Sequence, residues 1–190
     1  QRQMCIRDRA LEASGTPAHV ISLDNFFKGA QYYPRLPDGT LDYENPDTLD
    51  MPLIRQCLSD LSTTGKTVLP IYDFTTESRS SETETLDLKG GVCIVEGIHA
   101  LNPVITDSLP SENLMKLYVS VSSRIADDDG DVLMSKRDLR FVRRLVRDYY
   151  HRASSVERTY DLWGSVQRGE DKYIFPYSLS LIHTPSPRDS

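Results

Sequence analysis

The chain is short of several features, and each shortage excludes something. Only three cysteines occur, Cys5, Cys57 and Cys93. That is too few for the disulfide framework of a small secreted domain, so a reducing cytoplasm is the expected setting. No signal peptide is evident, and no apolar run approaches the ~20 residues of a membrane helix, so a membrane partner is not expected. Positive charge is in deficit: 22 Lys and Arg against 28 Asp and Glu give a formal net charge of −6. Nucleic acid is therefore not an expected partner by overall charge. No internal repeat is present. The phosphate-cradling motif G-x-x-x-x-G-K-[ST] is also absent. Gly65-Lys66-Thr67 imitates its end, but Asp60 stands where its first glycine belongs, and the order is helix then strand rather than the reverse. A glycine that stops a helix accounts for these residues better.

What is there suffices for one domain with a sizeable core, at 190 residues. The two ends stand apart. Residues 1–9 (Q-R-Q-M-C-I-R-D-R) and 178–190 (S-L-S-L-I-H-T-P-S-P-R-D-S) show no useful periodicity and resemble translated sequencing-adapter sequence. They are expected to be a non-native head and tail, leaving a native domain over 10–177.

Along that stretch, Ala10–Ser14 reads as a helix end stopped by Gly15, and Ala18–Leu23 as a strand. The region from Asn25 to Asp50 is rich in Tyr, Pro, Asp and Gly and reads as a long functional loop. Leu53, Ile54, Cys57, Leu58 and Leu61 form the apolar stripe of a helix over Pro52–Ser62. A strand is expected at Thr67–Ile71, a polar loop or hairpin over Tyr72–Leu86, a buried strand at Gly91–Val95 and another at Leu117–Val121. Asp127–Asp131 reads as an acidic turn. Helices are expected from Lys136 to Tyr150 and from Ser154 to Trp163, the latter stopped by Gly164. Strands alternating with helices predict a parallel α/β sheet.

Two strands end on an acid. His19-Val20-Ile21-Ser22-Leu23 runs into Asp24, and Val92-Cys93-Ile94-Val95 runs into Glu96, with Gly97 next. Acids at the carboxyl edge of a sheet stand where α/β proteins hold ligands and metal. Either acid alone fits an ordinary helix cap or turn equally well. The second chemical signal is a cationic stripe. Arg137, Arg140, Arg144 and Arg147 share one helical face, flanked by Arg143, with Leu139, Val142, Val146 and Tyr149 opposite. Such a helix can bury its apolar side and offer guanidinium forks to phosphate. It can equally be a solvated face paired to local acids such as Asp138 and Asp148.

Five segments in order resemble the uridine kinase and phosphoribulokinase group of P-loop kinases, closest to the bacterial uridine-kinase-like nucleoside kinases. They are Val20–Phe27, Asp42–Asp47, Pro70–Phe74 with Ser78-Arg79, Ile94–Ile98, and the R-R-L-V-R-D-Y and W-G-S-V-Q-R-G-E runs within Arg137–Tyr177. The resemblance implies a P-loop-kinase-like parallel sheet flanked by helices, incomplete because the N-terminal P-loop strand is missing, with a helical lid at about 124–168.

It also implies ATP and Mg2+ as cofactors and a nucleoside as phosphoryl acceptor. Asp24 would then be the general base and a magnesium neighbour, and Glu96 would hold magnesium through water. Tyr43, Glu44, Tyr72, Phe74 and Arg79 would line the nucleoside pocket. Arg140, Arg143, Arg144 and Arg147 would belong to the lid over the triphosphate. Three departures bear on base preference: Glu77 stands where the family has a base-reading histidine, Glu44 where aspartate is common, and Phe27 where tyrosine is common. The missing phosphate loop implies that this chain by itself is inactive. A degenerate nucleotide- or RNA-binding module, and a kinase of the same group with another sugar-alcohol acceptor, are the alternatives; a homo-oligomer stays open.

Overall fold

The structure, a computed structural model, describes residues 13, 15–107, 109–118, 124–152 and 154–178. The chain divides into two compact units, Gln1–Met115 and Lys116–Ser190. The fold is mixed α/β, with a parallel strand pair and flanking helices.

In the first unit, strand β1 (Ala18–Ser22) runs parallel to a strand far along the chain, Val92–Glu96. Between them come helix α1 (Met51–Thr64), strand β2 (Lys66–Asp73) and strand β3 (Ser78–Asp87), which makes the Val92–Glu96 strand β4. The expected apolar stripe of α1 is the buried one: Ile54, Cys57, Leu58 and Leu61. Asp50 starts this helix by accepting from the Leu53 amide. Gly65 ends it at φ 73, and its amide donates to the Leu61 carbonyl at 3.0 Å, as the helix-stop reading requires. The stripe packs with Ile21, Leu23, Phe26, Leu49, Leu69, Leu86 and Ile105 into one core. Ile54 is 0% exposed, so its side chain alone contributes roughly 2–3 kcal/mol.

The hairpin alternative for Tyr72–Leu86 is the one realised: the polar run forms a full strand, β3, paired antiparallel with β2 from Lys66↔Asp87 to Asp73↔Ser78. Its Ser, Thr and Glu side chains hide the strand period, and the cross-strand partner supplies the stability that burial does not. β4 was expected to be buried, yet Val92 is 43% exposed and its other residues are only partly covered. Among the described residues β4 pairs with β1 alone. The Asn25–Asp50 loop carries three short 3-10 turns and is pinned by the bridges Phe27↔Leu49 and Arg35↔Leu41. A one-turn helix, α2 (Pro103–Thr106), follows the β4 edge.

The second unit opens with a small hairpin of β5 (Ile125–Ala126) and β6 (Val132–Met134) around the acidic turn. Asp127 closes that turn, its Oδ1 accepting from the Asp131 amide at 2.8 Å. Helix α3 (Lys136–His151) begins at a reciprocal capping box between Ser135 and Asp138. Helix α4 (Val156–Tyr173) starts at Ser155, and α5 (Phe175–Ser178) follows. Gly164 does not stop α4; the helix runs nine residues past it. An internal glycine costs only about 1 kcal/mol, which interhelical packing overrides. Of the expected Leu117–Val121 strand, Leu117 and Tyr118 are not in a strand and residues 119–121 lie outside the described residues. The helix end before Gly15 lies almost wholly outside them too; Gly15 itself has φ 80, as a helix stop would. Among the described residues no helix is long and apolar enough to cross a membrane.

Candidate active site

Register decides where the two strand-end acids stand. In the parallel pair, Ser22 lies opposite Glu96. Neighbouring strands are about 4.8 Å apart. Asp24 follows two residues after Ser22, inside the 3-10 turn Leu23–Phe26. Both carboxylates therefore sit at the carboxyl edge of one strand pair. Gly97 seals the junction. At φ 149 it lies so close that an added Cβ would come 2.9 Å from the Leu23 Cβ. Any side chain there would push the β4 turn away from the turn holding Asp24.

The aromatic residues gather next to that turn. Phe27, three residues after Asp24, packs on Tyr33 and Tyr72 with ring centroids at 6.0 and 5.4 Å. Tyr33 meets Tyr43 edge-on at 5.6 Å, and Tyr72 meets Phe74 at 5.2 Å. Tyr43, Tyr72 and Phe74, expected in a pocket, are thus brought into one cluster. Phe27, named from sequence as a departure bearing on base preference, joins them, and so does Tyr33, which sequence reasoning had not singled out. The hydroxyls of Tyr33 and Tyr72 are 3.4 Å apart. Burial, first, and the neighbouring hydroxyl raise the Tyr33 pKa; burial also raises that of Tyr72, and Glu77 pushes both upward. Both phenols stay protonated at neutral pH. Glu77 is thereby near the cluster, at a left-handed φ of 50 that few non-glycine residues adopt.

His99 is the other residue missed. It is 2% exposed, and burial pushes its pKa down to about 4, against smaller opposing effects of the Glu44 carbonyl and the charges of Asp24 and Asp42. A neutral imidazole thus sits between the rim and the loop bearing Glu44. Its position just after Glu96-Gly97 was the available signal. Arg79, expected in the pocket, pairs with Asp50 at 3.1 Å.

The donor set at the rim consists of carboxylate oxygens, which suits magnesium. Among the described residues no group of three or more His, Cys, Asp or Glu could close around a metal. One or two carboxylates, completed by water and phosphate oxygens, are the usual protein share for this ion. Asp24 and Glu96 fit that share. For ATP the fit is incomplete, because the sequence holds no amide-rich phosphate loop.

The second unit holds the cationic helix. Arg137 meets Asp171 at 2.7 Å, and Arg140 pairs with Glu170, whose side chain is 4% exposed. Asp148 gathers Arg144 at 3.2 Å, Arg147 at 3.1 Å and Arg152 at 3.9 Å. The Arg144 contact lacks hydrogen-bond geometry and is an ion pair only. Arg143 is exposed. The face assignment is therefore inverted over most of the helix, with Leu139 still half-buried and Arg147 exposed. Arg137, Arg140, Phe141, Arg144 and Asp148 lie toward α4, with Phe141 5.0 Å from the Trp163 ring. Val142, Val146 and Tyr149 are 44, 52 and 60% exposed. The reason is the partner: α4 offers acids, and burial of unpaired carboxylates would be costly. Burial raises the Glu170 pKa, while Arg140 and Arg137 hold it down.

The family described as Phosphoribulokinase / Uridine kinase matches residues 4–180. This chain belongs to that family. It is 30% identical to a uridine kinase of Deinococcus deserti over 168 residues, covering 88% of this chain and 69% of the relative. A uridine kinase of Lactobacillus helveticus is 30% identical over 83% of this chain and 66% of its own length. Mouse uridine-cytidine kinase-like 1 is 32% identical over 95% of this chain, which spans only 30% of that protein. Among solved structures, that of a candidate fructose transport system kinase from Silicibacter sp. TM1040 aligns with a TM-score of 0.53 at 18% identity. It covers 86% of this chain and 75% of the other. That likeness supports the kinase fold.

Proposed function

We propose that the protein belongs to an ATP-dependent kinase that phosphorylates the 5′-hydroxyl of a nucleoside, uridine or cytidine first. The observation that carries this reading is the register Ser22↔Glu96, which sets Asp24 and Glu96 on one rim beside an aromatic cluster. The names of the relatives, uridine kinase and uridine-cytidine kinase-like, support the acceptor class.

In this reading Asp24 orients the 5′-hydroxyl and takes its proton as transfer proceeds, a role that contributes about 10²–10⁴-fold. Tyr43, Tyr72 and Phe74 offer ring faces to a base. Glu44 accepts hydrogen bonds from ribose hydroxyls. Glu77 can accept from a base N–H, whereas the family's histidine can also donate, so base preference is expected to turn on this position. Asp24 and Glu96 would hold magnesium, which when bound would neutralise charge on the phosphate oxygens. Arg140, Arg143, Arg144 and Arg147 are assigned to triphosphate oxygens, which would have to displace the present carboxylate partners of Arg140, Arg144 and Arg147. No step is drawn through a phosphate loop, since none is in the sequence.

The ion pairs favour a second role for Arg140, that of fastening α3 to α4 together with Arg137, whereas Arg144 and Arg147 brace α3 through its own Asp148.

The test has two parts. Titration calorimetry of this chain with uridine, cytidine, adenosine and guanosine should show pyrimidine nucleoside binding without ATP turnover. Radiolabelled ATP assays on a chain that also carries a phosphate loop should show transfer to the same nucleosides. Binding of no nucleoside, or transfer only to a non-nucleoside sugar alcohol, would refute the reading.

A further inference from the structure

Arg79 carries a role different from the one its sequence position implies. Strand pairing sets it opposite Tyr72. Its Nη1 donates to Asp50 Oδ2 at 3.1 Å, and its Nη2 lies 3.4 Å from the carbonyl oxygens of both Phe26 and Phe27. The Phe26 carbonyl also accepts from the Asp50 amide at 2.9 Å. The other Asp50 oxygen caps α1 at the Leu53 amide, 3.2 Å away. Phe26 is the last residue of the turn that holds Asp24. One guanidinium thus ties together the turn bearing Asp24, the start of α1, and the hairpin bearing Tyr72 and Phe74. The planar fork is what allows this, since an ammonium is a single point charge. The Arg79 Nε is buried without a hydrogen-bond partner among the described residues. Such a group costs about 1–3 kcal/mol, which argues against arginine being present for stability alone.

We propose that Arg79 is a positioning residue: with Asp50 it holds the Asp24 turn in register with the aromatic hairpin, and it does not contact the nucleoside. The proposal rests on the reading of Asp24 as the acceptor's base.

The test is amide hydrogen exchange and uridine titration on the 190-residue chain, comparing the parent with Arg79→Lys, Arg79→Ala, Asp50→Asn and the double variant Arg79→Ala with Asp50→Asn. Asparagine keeps a capping oxygen for α1 while removing the charge. The reporters are the Lys28 amide, bonded to the Thr48 carbonyl at 3.0 Å, and the Asp50 amide. Their exchange should rise ~10-fold in Arg79→Ala and in Asp50→Asn, with little further rise in the double variant. Arg79→Lys should recover part of the protection. Amides inside α1, from Ile54 to Leu61, should not change, whereas a residue of purely global importance would move them equally. Uridine affinity should stay within ~3-fold of the parent in every variant.

A ~10-fold loss of uridine affinity in Arg79→Ala with unchanged exchange at Lys28 and Asp50 would show direct contact and overturn the proposal. Uniformly raised exchange, α1 included, would overturn it too. Should Arg79→Ala fail to fold, Arg79→Lys and Asp50→Asn carry the same comparison. If the parent binds no uridine, the nucleoside reading fails, and the exchange arm still decides whether Arg79 holds the turn.

Discussion

Asp24 and Glu96 are 72 positions apart in the chain, yet parallel pairing sets them at one strand edge in the first unit. Arg140, Arg144 and Arg147 are close in sequence, yet in the second unit Arg140 pairs with Glu170 while Arg144 and Arg147 share Asp148. In the first case backbone register gathers the chemistry, and side chains follow. In the second, side-chain charge decides which helix face turns inward, against the hydrophobic pattern. A residue held by its own ion pair must exchange that partner before it meets a ligand.

Substitutions can break this contrast, beginning with the rim. Asp24→Asn should lower transfer by ~10³-fold in a chain carrying a phosphate loop, while nucleoside affinity is kept; retained turnover would remove Asp24 as base. In the second unit the largest effect should come from Asp148→Asn. Asp148 is 5% exposed and serves three arginines, so its loss should cost about 3 kcal/mol in urea unfolding. A change below about 0.5 kcal/mol would mean that those arginines are simply hydrated.

His99 separates the units by pH. Its pKa is near 4 in the fold against an ordinary 6.5, so the unfolded chain binds the proton more readily. Stability is therefore full above pH 6.5 and falls as the pH drops from 6.5 toward 4, by roughly 3 kcal/mol in total. His99→Gln should remove that slope without touching the second unit's unfolding; an unchanged slope would mean that the imidazole is not buried. Replacing Arg144 and Arg147 together by Ala should reduce turnover by ~10-fold or more if phosphate displaces their carboxylates. Unchanged kinetics would leave them as partners of Asp148 within α3. The smallest effect belongs to exposed Arg143, whose change to Ala should move stability by less than ~0.5 kcal/mol.

The sequence made legible what depends on local periodicity. The α1 stripe, the Gly65 stop, the acid-tipped strands and the acidic turn all stand where their patterns indicate. It was less informative where a partner decides. β3 is a strand through its pairing with β2, since its own residues are polar. The arginine face of α3 turns inward because Glu170 and Asp171 wait on α4, 30 residues beyond Arg140 and 34 beyond Arg137. Gly164 is spanned because one unfavourable residue cannot outweigh the packing of a long helix. Tyr43, Tyr72 and Phe74, singled out through family resemblance, do fall in one aromatic cluster. Tyr33 needed the fold, because nothing in its own neighbourhood marks it apart from other loop residues; His99 carried the signal of its place just after Glu96-Gly97, but its burial needed the fold.

The most direct measurement uses Mn2+ as a paramagnetic stand-in for magnesium, in NMR spectra of this chain with nucleotide added. The account predicts that the amide signals of Asp24 and Glu96 broaden together at the same Mn2+ concentration, and that Glu96→Gln relieves both. Broadening of one without the other, or only at the Asp127–Asp131 turn, would contradict a shared site at the strand edge.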